Sequence, residues 1–431
     1  MIYLHVPFCE SRCTYCGFFS SVIPRNSRDL CYEAYADAVC KEISERRDEI
    51  AGTLNVNTLY IGGGTPSVLP LDVLSRIVHF LEAAIIRPGR GYAAEPFALR
   101  ASSRLACGEP PVHEATGGHR FGWHTPSGAG DYSWEEFTIE VNPEDIVEKG
   151  EEYVKGLLAL GVNRVSMGVQ SFDDEILKWM NRRHDSATAV EAFRILRRCG
   201  VGNISIDLIF GLPRLSEELW SETIGKALEL EPEHISAYQL SIEEESALER
   251  LIAQGKFTEA TDEQCRRQYD LLCKRLGEAG YHHYEISNFA IPGREAVHNS
   301  AYWRRVPYVG LGPGAHSLSA GSVRSWNSRD LPRRLQNGSL KTYSKEEELL
   351  TTEDIRVERI MLPLRTDMGL QESELRSLAG DESVDRLLAS GALVRCHPER
   401  VPEPVEGRGE GSLRIPEDHF FISDDIIREL I

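Results

Sequence analysis

The sequence predicts a parallel α/β fold, with six β/α units in one sheet that is either open or curled into a partial barrel, followed by a smaller, mostly helical region. Two observations predict it. Short β-branched, apolar runs recur with helical stretches between them over the first 240 or so residues, and that rhythm stops near residue 245. Strands alternating with helices join through right-handed crossovers, which makes the sheet parallel. In such sheets the chemistry sits at the C-terminal strand ends.

The expected strands are 2–6 (IYLHV), 56–61 (VNTLYI), 137–142 (FTIEVN), 163–169 (NRVSMGV), 203–209 (NISIDLI) and 234–240 (HISAYQL), with helices near 29–50, 70–86, 149–160, 186–199 and 216–230. Two segments break the pattern. Residues 87–130 lack periodicity and are rich in Gly, Pro, Ser and Ala, which predicts an inserted loop whose His113, His119 and His124 form no metal site. Residues 397–412 (HPERVPEPVEGRGEGS) read as a second, low-complexity insertion. The division expected is 1–244 for the β/α region, 245–340 for an extension carrying HNSAYW, and 341–431 for a C-terminal domain. A helix near 261–279 opens the extension. The tail is helical from about 345 and ends in two short strands, LVR and LRIPEDHFFIS, an order that resembles a winged helix. Residues 341–431 hold 12 basic and 21 acidic side chains, so reading DNA is not expected of this module.

The whole chain of 431 residues carries a formal charge of −19, which disfavours phosphate backbones and anionic lipid as partners. No apolar stretch approaches the roughly 18 residues of a membrane span. The N-terminus runs directly into strand-like MIYLHVPF, with no signal peptide visible, so a cytoplasmic location is expected. Ten cysteines in a reducing compartment point to metal or catalytic roles rather than disulfides. Cys31, Cys40, Cys199, Cys265 and Cys273 fall in helix-like segments, where a free thiol is usually a small buried hydrophobe, and Cys107 and Cys396 fall in irregular ones. The other three carry the argument.

CESRCTYC places Cys9, Cys13 and Cys16 at spacing C-x3-C-x2-C just after the first strand. Zinc prefers four ligands in two separated pairs, and no second pair is near. Iron–sulfur clusters normally take four cysteines. Three thiolates on one tight loop therefore suit a [4Fe–4S] cube with one iron open to a small molecule.

CESRCTYC resembles the signature of the radical S-adenosylmethionine (radical SAM) superfamily. The resemblance implies a partial (β/α)6 barrel, matching the six strands, and an open iron chelated by the methionine end of S-adenosylmethionine. In that family the reduced cluster cleaves the sulfonium to a 5′-deoxyadenosyl radical. GGGTPS (62–67) follows the second strand, and Gly63, Gly64 and Thr65 match positions that contact S-adenosylmethionine in the family. YLHVPFC, the Tyr15 of CTYC, EVNPE, RVSMGVQSF, MNR and IDLIFGLP together resemble the HemN/HemW branch, over nearly the whole chain apart from the two insertions. By motif match, Tyr3, Tyr15, Glu140, Gln170, Arg182 and Asp207 complete the S-adenosylmethionine pocket. Carboxylates there suit ribose hydroxyls or the amino group, and Arg suits the carboxylate.

That branch holds oxygen-independent coproporphyrinogen III oxidases and heme chaperones. Phe18 stands where the oxidase pattern has a further cysteine, Met1 lies only eight residues ahead of Cys9, leaving no room for the oxidase's leading segment, and HNSAYW (298–303) resembles a heme-binding motif of the HemW group. The resemblance therefore implies a heme chaperone with heme as cargo, an acceptor protein and an electron donor for the cluster. The oxidase is the alternative, and turnover of S-adenosylmethionine stays open. His298 is the expected axial ligand, with Tyr302 and Trp303 packing on the porphyrin and His282, His283 and His316 as rivals.

Overall fold

The computed structural model describes residues 1–86, 132–212, 214–243, 246–329, 344–396 and 411–431. The segment 87–130, with Cys107 and its three histidines, and residues 397–410 of the second expected insertion lie outside the described residues.

Six strands run parallel and adjacent in chain order: β1 (Ile2–Val6), β2 (Thr58–Gly63), β3 (Glu136–Val141), β4 (Arg164–Gln170), β5 (Ile204–Phe210) and β6 (His234–Gln239). Each boundary lies within two residues of the expected one. The sheet is larger than six, however. β7 (His282–Glu285) and β8 (Asn288–Ala290) form a hairpin that adds antiparallel to β6, and β9 (Val309–Leu311) adds parallel to β1 at the other edge. The order β9-β1-β2-β3-β4-β5-β6-β8-β7 is open, with β9 and β7 as its edges. Three- and four-residue strands leave little periodicity to read, so these additions escaped the sequence.

The crossovers are α1 (Arg28–Glu45), α2 (Leu71–Ile86), α3 (Pro143–Ala159), α4 (Ser186–Arg198) and α5 (Glu217–Glu229). They cover one face of the sheet, where alternate residues such as Ile2, Leu4, Leu59, Ile61, Ile139, Val165, Ile204 and Ile206 are buried. The other face is polar. Register aligns Tyr3, Tyr60, Thr138 and Arg164 across it, and in the next row His5, Gly62, Glu140, Ser166, Ser205 and His234. Because side chains alternate along a strand, this row arrangement puts titratable groups inside the curved sheet and aliphatic ones under the helices.

α3 starts six residues earlier than expected. Asn142 occupies its N-cap and Pro143 its first turn, a favoured place for proline, but Gly150 at φ +68° interrupts the helix and hides the first part from a periodicity search. The helix expected over 29–50 breaks at Arg46, and a short second helix, Arg47–Gly52, follows α1.

Beyond β6 come α6 (Asp262–Glu278), α7 (Val297–Trp303) and a three-stranded antiparallel sheet of β10 (His316–Leu318), β11 (Val323–Asn327) and β12 (Lys345–Leu349). The C-terminal part has α8 (Thr352–Leu364), β13 (Leu370–Gln371), α9 (Glu372–Ala379), α10 (Asp381–Ser390), β14 (Val394–Arg395) and β15 (Ser412–Arg414). β15 lies between β13 and β14, antiparallel to both, which is the helix–helix–hairpin order expected of a winged helix. Two expectations are corrected here. Ser412 pairs with Gln371, so the second insertion ends before it. LRIPEDHFFIS is a strand only to Arg414, because Pro416 has no N–H for a ladder and Glu417–Ile422 turns into a 3-10 helix.

Candidate functional site

Cys9, Cys13 and Cys16 lie on the loop that leaves the C-terminal end of β1, and all three are free thiols. Backbone bonds hold the loop from both sides. Thr14 donates its N–H to the Met180 carbonyl at 3.1 Å and its hydroxyl to the Trp179 carbonyl at 3.0 Å, while its own carbonyl accepts from Leu248 N–H at 3.0 Å. Asn181 adds a bond to the Arg12 carbonyl at 2.8 Å. Burial pushes the Cys16 thiol up to about 11 and raises Cys9 as well, so without a metal these two are protonated at neutral pH. Among the described residues no three His, Cys, Asp or Glu side chains converge on a point where one ion would sit.

The glycine turn after β2 packs directly under this loop. Gly64 donates its N–H to the Val6 carbonyl at 2.8 Å, and a Cβ on it would stand 2.6 Å from the Phe8 carbonyl oxygen and 3.1 Å from Cys9 Sγ. Gly63 adopts φ +117°, a conformation that side chains resist. Thr65 Oγ1 lies 3.4 Å from Cys9 Sγ and accepts from Asn142 Nδ2 at 3.3 Å. Asn142 in turn accepts through Oδ1 from Arg182 Nη2 at 2.8 Å, and Arg182 Nη1 lies 3.6 Å from Cys13 Sγ. The network thus runs from Cys9 to Cys13 through Thr65, Asn142 and Arg182. Asn142 was not singled out from the sequence, although EVNPE contains it, because it reads there as the end of a strand rather than as a helix cap.

Gly168 opens the space beside this network. A Cβ there would meet Gln170 Nε2 at 2.9 Å and Arg182 Nη2 at 3.4 Å. Gln170 itself has φ +69° at a register shift between β4 and β5, an uncommon backbone for a residue with a Cβ. Tyr15 is enclosed within electrostatic reach of Arg182 and Cys13.

Deeper in the barrel, Glu140 accepts from Tyr60 Oη at 2.9 Å and from Gly63 N–H at 3.0 Å. Burial pushes its carboxyl up to about 7, despite those two bonds. Asp207, pushed by burial up to about 6, accepts from Ser166 Oγ at 3.1 Å on both oxygens. Tyr3 points into the same space, its hydroxyl 3.0 Å from His5 Nδ1. Gly63, Gly64, Thr65, Glu140, Gln170 and Asp207 therefore share one face, from the middle of the strands to their C-terminal ends, with Tyr15 and Arg182 flanking them, whereas Tyr3, the second residue of β1, lies on that face toward the N-terminal end.

His298 is elsewhere. Its Nδ1 lies 2.8 Å from Thr58 Oγ1, at the first residue of β2, and its Nε2 lies 3.1 Å from Tyr302 Oη. Glu136, the first residue of β3, caps α7 by accepting from Val297 N–H at 2.7 Å and His298 N–H at 3.1 Å. The helix that carries HNSAYW therefore closes the N-terminal end of the strands, opposite the cysteine loop. His298 is 1% exposed, and burial pushes its ring down to about 3. Both ring nitrogens are engaged in this arrangement, so coordinating iron there requires breaking a hydrogen bond in the core.

Residues 3–227 match the model of the radical SAM superfamily. The heme chaperone HemW of Bacillus subtilis is 30% identical over 389 residues, spanning 90% of this chain and 89% of that protein. The heme chaperone HemW of Mycobacterium tuberculosis is 27% identical and spans 100% of this chain and 94% of its own length. The solved structure of the coproporphyrinogen III oxidase HemN from Escherichia coli superposes with a TM-score of 0.70 at 20% identity, covering 100% of this chain and 89% of that one, which bears on the fold. The chain belongs to the radical SAM superfamily, within its HemN/HemW branch and on the side of the HemW proteins.

Proposed function

We propose that the protein is a heme chaperone that binds heme and a [4Fe–4S] cluster with S-adenosylmethionine, and passes the heme to an acceptor protein. The observation that carries this reading is the match to proteins named heme chaperones over nine-tenths of the chain. A local feature supports it: Phe18, at the position of the oxidase's extra cysteine, is 71% exposed and brings no ligand to the cluster loop.

Cys9, Cys13 and Cys16 are the ligands proposed for the cluster. A cubane gives each thiolate its own iron, so its ligands ring a volume instead of meeting at one ion, and three free thiols on an anchored loop fit that demand. When bound, the group supplies a one-electron reductant and an open coordination position. The chain supplies the surroundings. Arg182, whose Nε has no partner among the described residues, offers a cation to a carboxylate, Gly168 and Gly64 leave room for close approach, and Glu140 and Asp207 offer acceptors to ribose hydroxyls or an ammonium.

The test has two arms. Hemin titration of the cluster-loaded protein should give a saturable Soret change and heme transfer to an apo-acceptor. Anaerobic incubation with coproporphyrinogen III, S-adenosylmethionine and reductant should give no vinyl product. Catalytic vinyl formation would establish the oxidase instead.

A further inference from the structure

A buried imidazole whose two nitrogens are both engaged reaches an iron only by leaving its place. His298 is so held: 1% exposed, with Nδ1 2.8 Å from Thr58 Oγ1 and Nε2 3.1 Å from Tyr302 Oη. Capture of heme through this ring therefore opens the N-terminal end of the strands. What lies behind the ring decides what else that opening changes.

Behind it lies Tyr60. The two rings have centroids 5.2 Å apart, and the Tyr60 hydroxyl donates to Glu140 Oε1 at 2.9 Å. The other Glu140 oxygen accepts from Gly63 N–H at 3.0 Å, in the glycine turn beneath the cysteine loop. β2 thus joins the helix that carries HNSAYW to the face proposed for S-adenosylmethionine. β3 makes a second connection. Glu136 at its start caps α7, Thr138 donates its hydroxyl to Glu136 at 3.2 Å, and Glu140 follows two residues later on the same face.

Coupling between distant sites requires an element with two discrete arrangements. Arg164 provides the second one. Its guanidinium is 1% exposed, Nε and Nη1 have no partner among the described residues, and Glu136 is foremost among the charges that act on it. With α7 seated, Glu136 is spent on the Val297 and His298 N–H groups. With that helix end displaced, the same carboxylate is released to the two spare donors of Arg164, so a buried charge is not left unpaired. The seated state keeps Tyr60 packed and Glu140 aimed at its ligand. The open state lets Tyr60 follow the vacated ring and takes its hydroxyl away from Glu140.

We infer that Tyr60 is a positioning residue that sets heme and S-adenosylmethionine against each other: S-adenosylmethionine binds best with His298 seated, heme only with His298 displaced, so each ligand weakens the other. The inference rests on the heme-chaperone reading and adds a release step to it, since S-adenosylmethionine arriving at one end of the barrel loosens heme at the other. A ligand shifts such an equilibrium only by its differential affinity for the two states, and the effect is reciprocal.

The experiment is anaerobic hemin titration of the cluster-loaded full chain at rising S-adenosylmethionine, read by the Soret band, with calorimetry of S-adenosylmethionine binding with and without hemin. In wild type each ligand is expected to weaken the other by the same factor, at least about fivefold, and the effect should level off as S-adenosylmethionine saturates. Tyr60→Phe keeps a ring against His298 but cuts the bond to Glu140, and its coupling should fall below about twofold. His298→Ala imitates the displaced state, so it should bind S-adenosylmethionine at least about threefold more weakly with no hemin present. Circular dichroism and cluster absorbance report the folding of each variant. Independent or mutually strengthened binding in wild type overturns the inference. So does weakening that grows without limit, which is competition for one place, and so does full coupling in Tyr60→Phe or undiminished affinity in His298→Ala. Failure of wild type to bind hemin before any S-adenosylmethionine is added overturns the chaperone reading itself, so the two failures are distinct.

Discussion

The Arg182 guanidinium lies 3.6 Å from the Cys13 sulfur although 169 residues separate the two. The same group donates to Asn142 Oδ1 at 2.8 Å and to the Gly168 carbonyl at 2.6 Å, so one side chain ties the cysteine loop to the ends of β3 and β4. A lysine keeps the charge but cannot reach several acceptors in a plane. Arg182→Lys should therefore retain most of its iron and bind S-adenosylmethionine about tenfold more weakly, a loss of about 1.4 kcal/mol. Anaerobic calorimetry on the reconstituted protein measures it. Undiminished affinity would reduce Arg182 to a brace for the loop.

The three cysteines should be equivalent in a way the other thiols are not. Reconstituted protein is expected to hold about four irons and four sulfides per chain. Cys9→Ala, Cys13→Ala and Cys16→Ala should each lose most cluster absorbance, whereas Cys199→Ala, at the end of α4, and Cys273→Ala, within α6, should not. Iron and sulfide assays on all five decide this, and an intact cluster in Cys13→Ala would remove the assignment.

Gly64 offers a steric test that no charge effect can imitate. A methyl group there meets the backbone of Phe8, its oxygen at 2.6 Å and its nitrogen at 3.0 Å, and backbone cannot swing aside as a side chain can. Gly64→Ala should cost about 1–3 kcal/mol of stability and impair cluster assembly, the usual range for overpacking. Gly202→Ala is the control, because nothing lies within 4 Å of its added methyl. Denaturant midpoints of the two variants should separate clearly.

Much of this geometry was legible in advance, for a physical reason. Residues such as Cys9, Cys13 and Cys16, or Gly63 to Thr65, stand within a few positions of one another, so spacing alone displays the grouping. The six strands were equally readable, because each carries buried aliphatic residues in a run. Asn142 and Gly168 were not, because their roles arise only when three strand ends meet. HNSAYW was readable as a motif but not as a place. Its sequence shows aromatic residues after a histidine, and only the capping by Glu136 and the bond to Thr58 reveal that it faces the far end of the barrel. The added strands β7, β8 and β9 were too short to show a period.

Glu140 predicts a pH effect whose sign can be worked out. Its folded carboxyl is pushed by burial from the ordinary 4.5 up to about 7, so the native state binds a proton that the unfolded chain has released. Stability from this group is full below about 4.5 and is lost as pH rises toward 7, after which it is constant. Buried neutral histidines such as His283, pushed down to about 3 by burial, act in the opposite direction, so the comparison must be with a variant. In the ligand-free protein the stability of wild type relative to Glu140→Gln should fall between pH 5 and 7 and level off above. A gap that does not change with pH would mean that Glu140 is solvated and ordinary.

His298 closes the set, because its place in the fold makes a prediction independent of heme. The ring bridges Thr58 on β2 and Tyr302 on its own helix, and its centroid lies 5.2 Å from that of Tyr60, whose hydroxyl reaches Glu140. Removing the ring strands the Thr58 and Tyr302 hydroxyls and leaves a void beside Tyr60. Each unsatisfied buried group costs about 1–3 kcal/mol. His298→Ala should therefore lower the denaturant midpoint markedly even in the protein without cluster or heme. Thr58→Val removes one end of the same bond at nearly constant volume and should cost less. Because both variants break the contact between residues 58 and 298, their costs should not add: the double variant should be less destabilised than the two singles together, by at least about 0.5 kcal/mol. Simple additivity would show that the two side chains do not cooperate, and a His298→Ala protein as stable as wild type would show that the ring is free to leave its site and so available to iron after all.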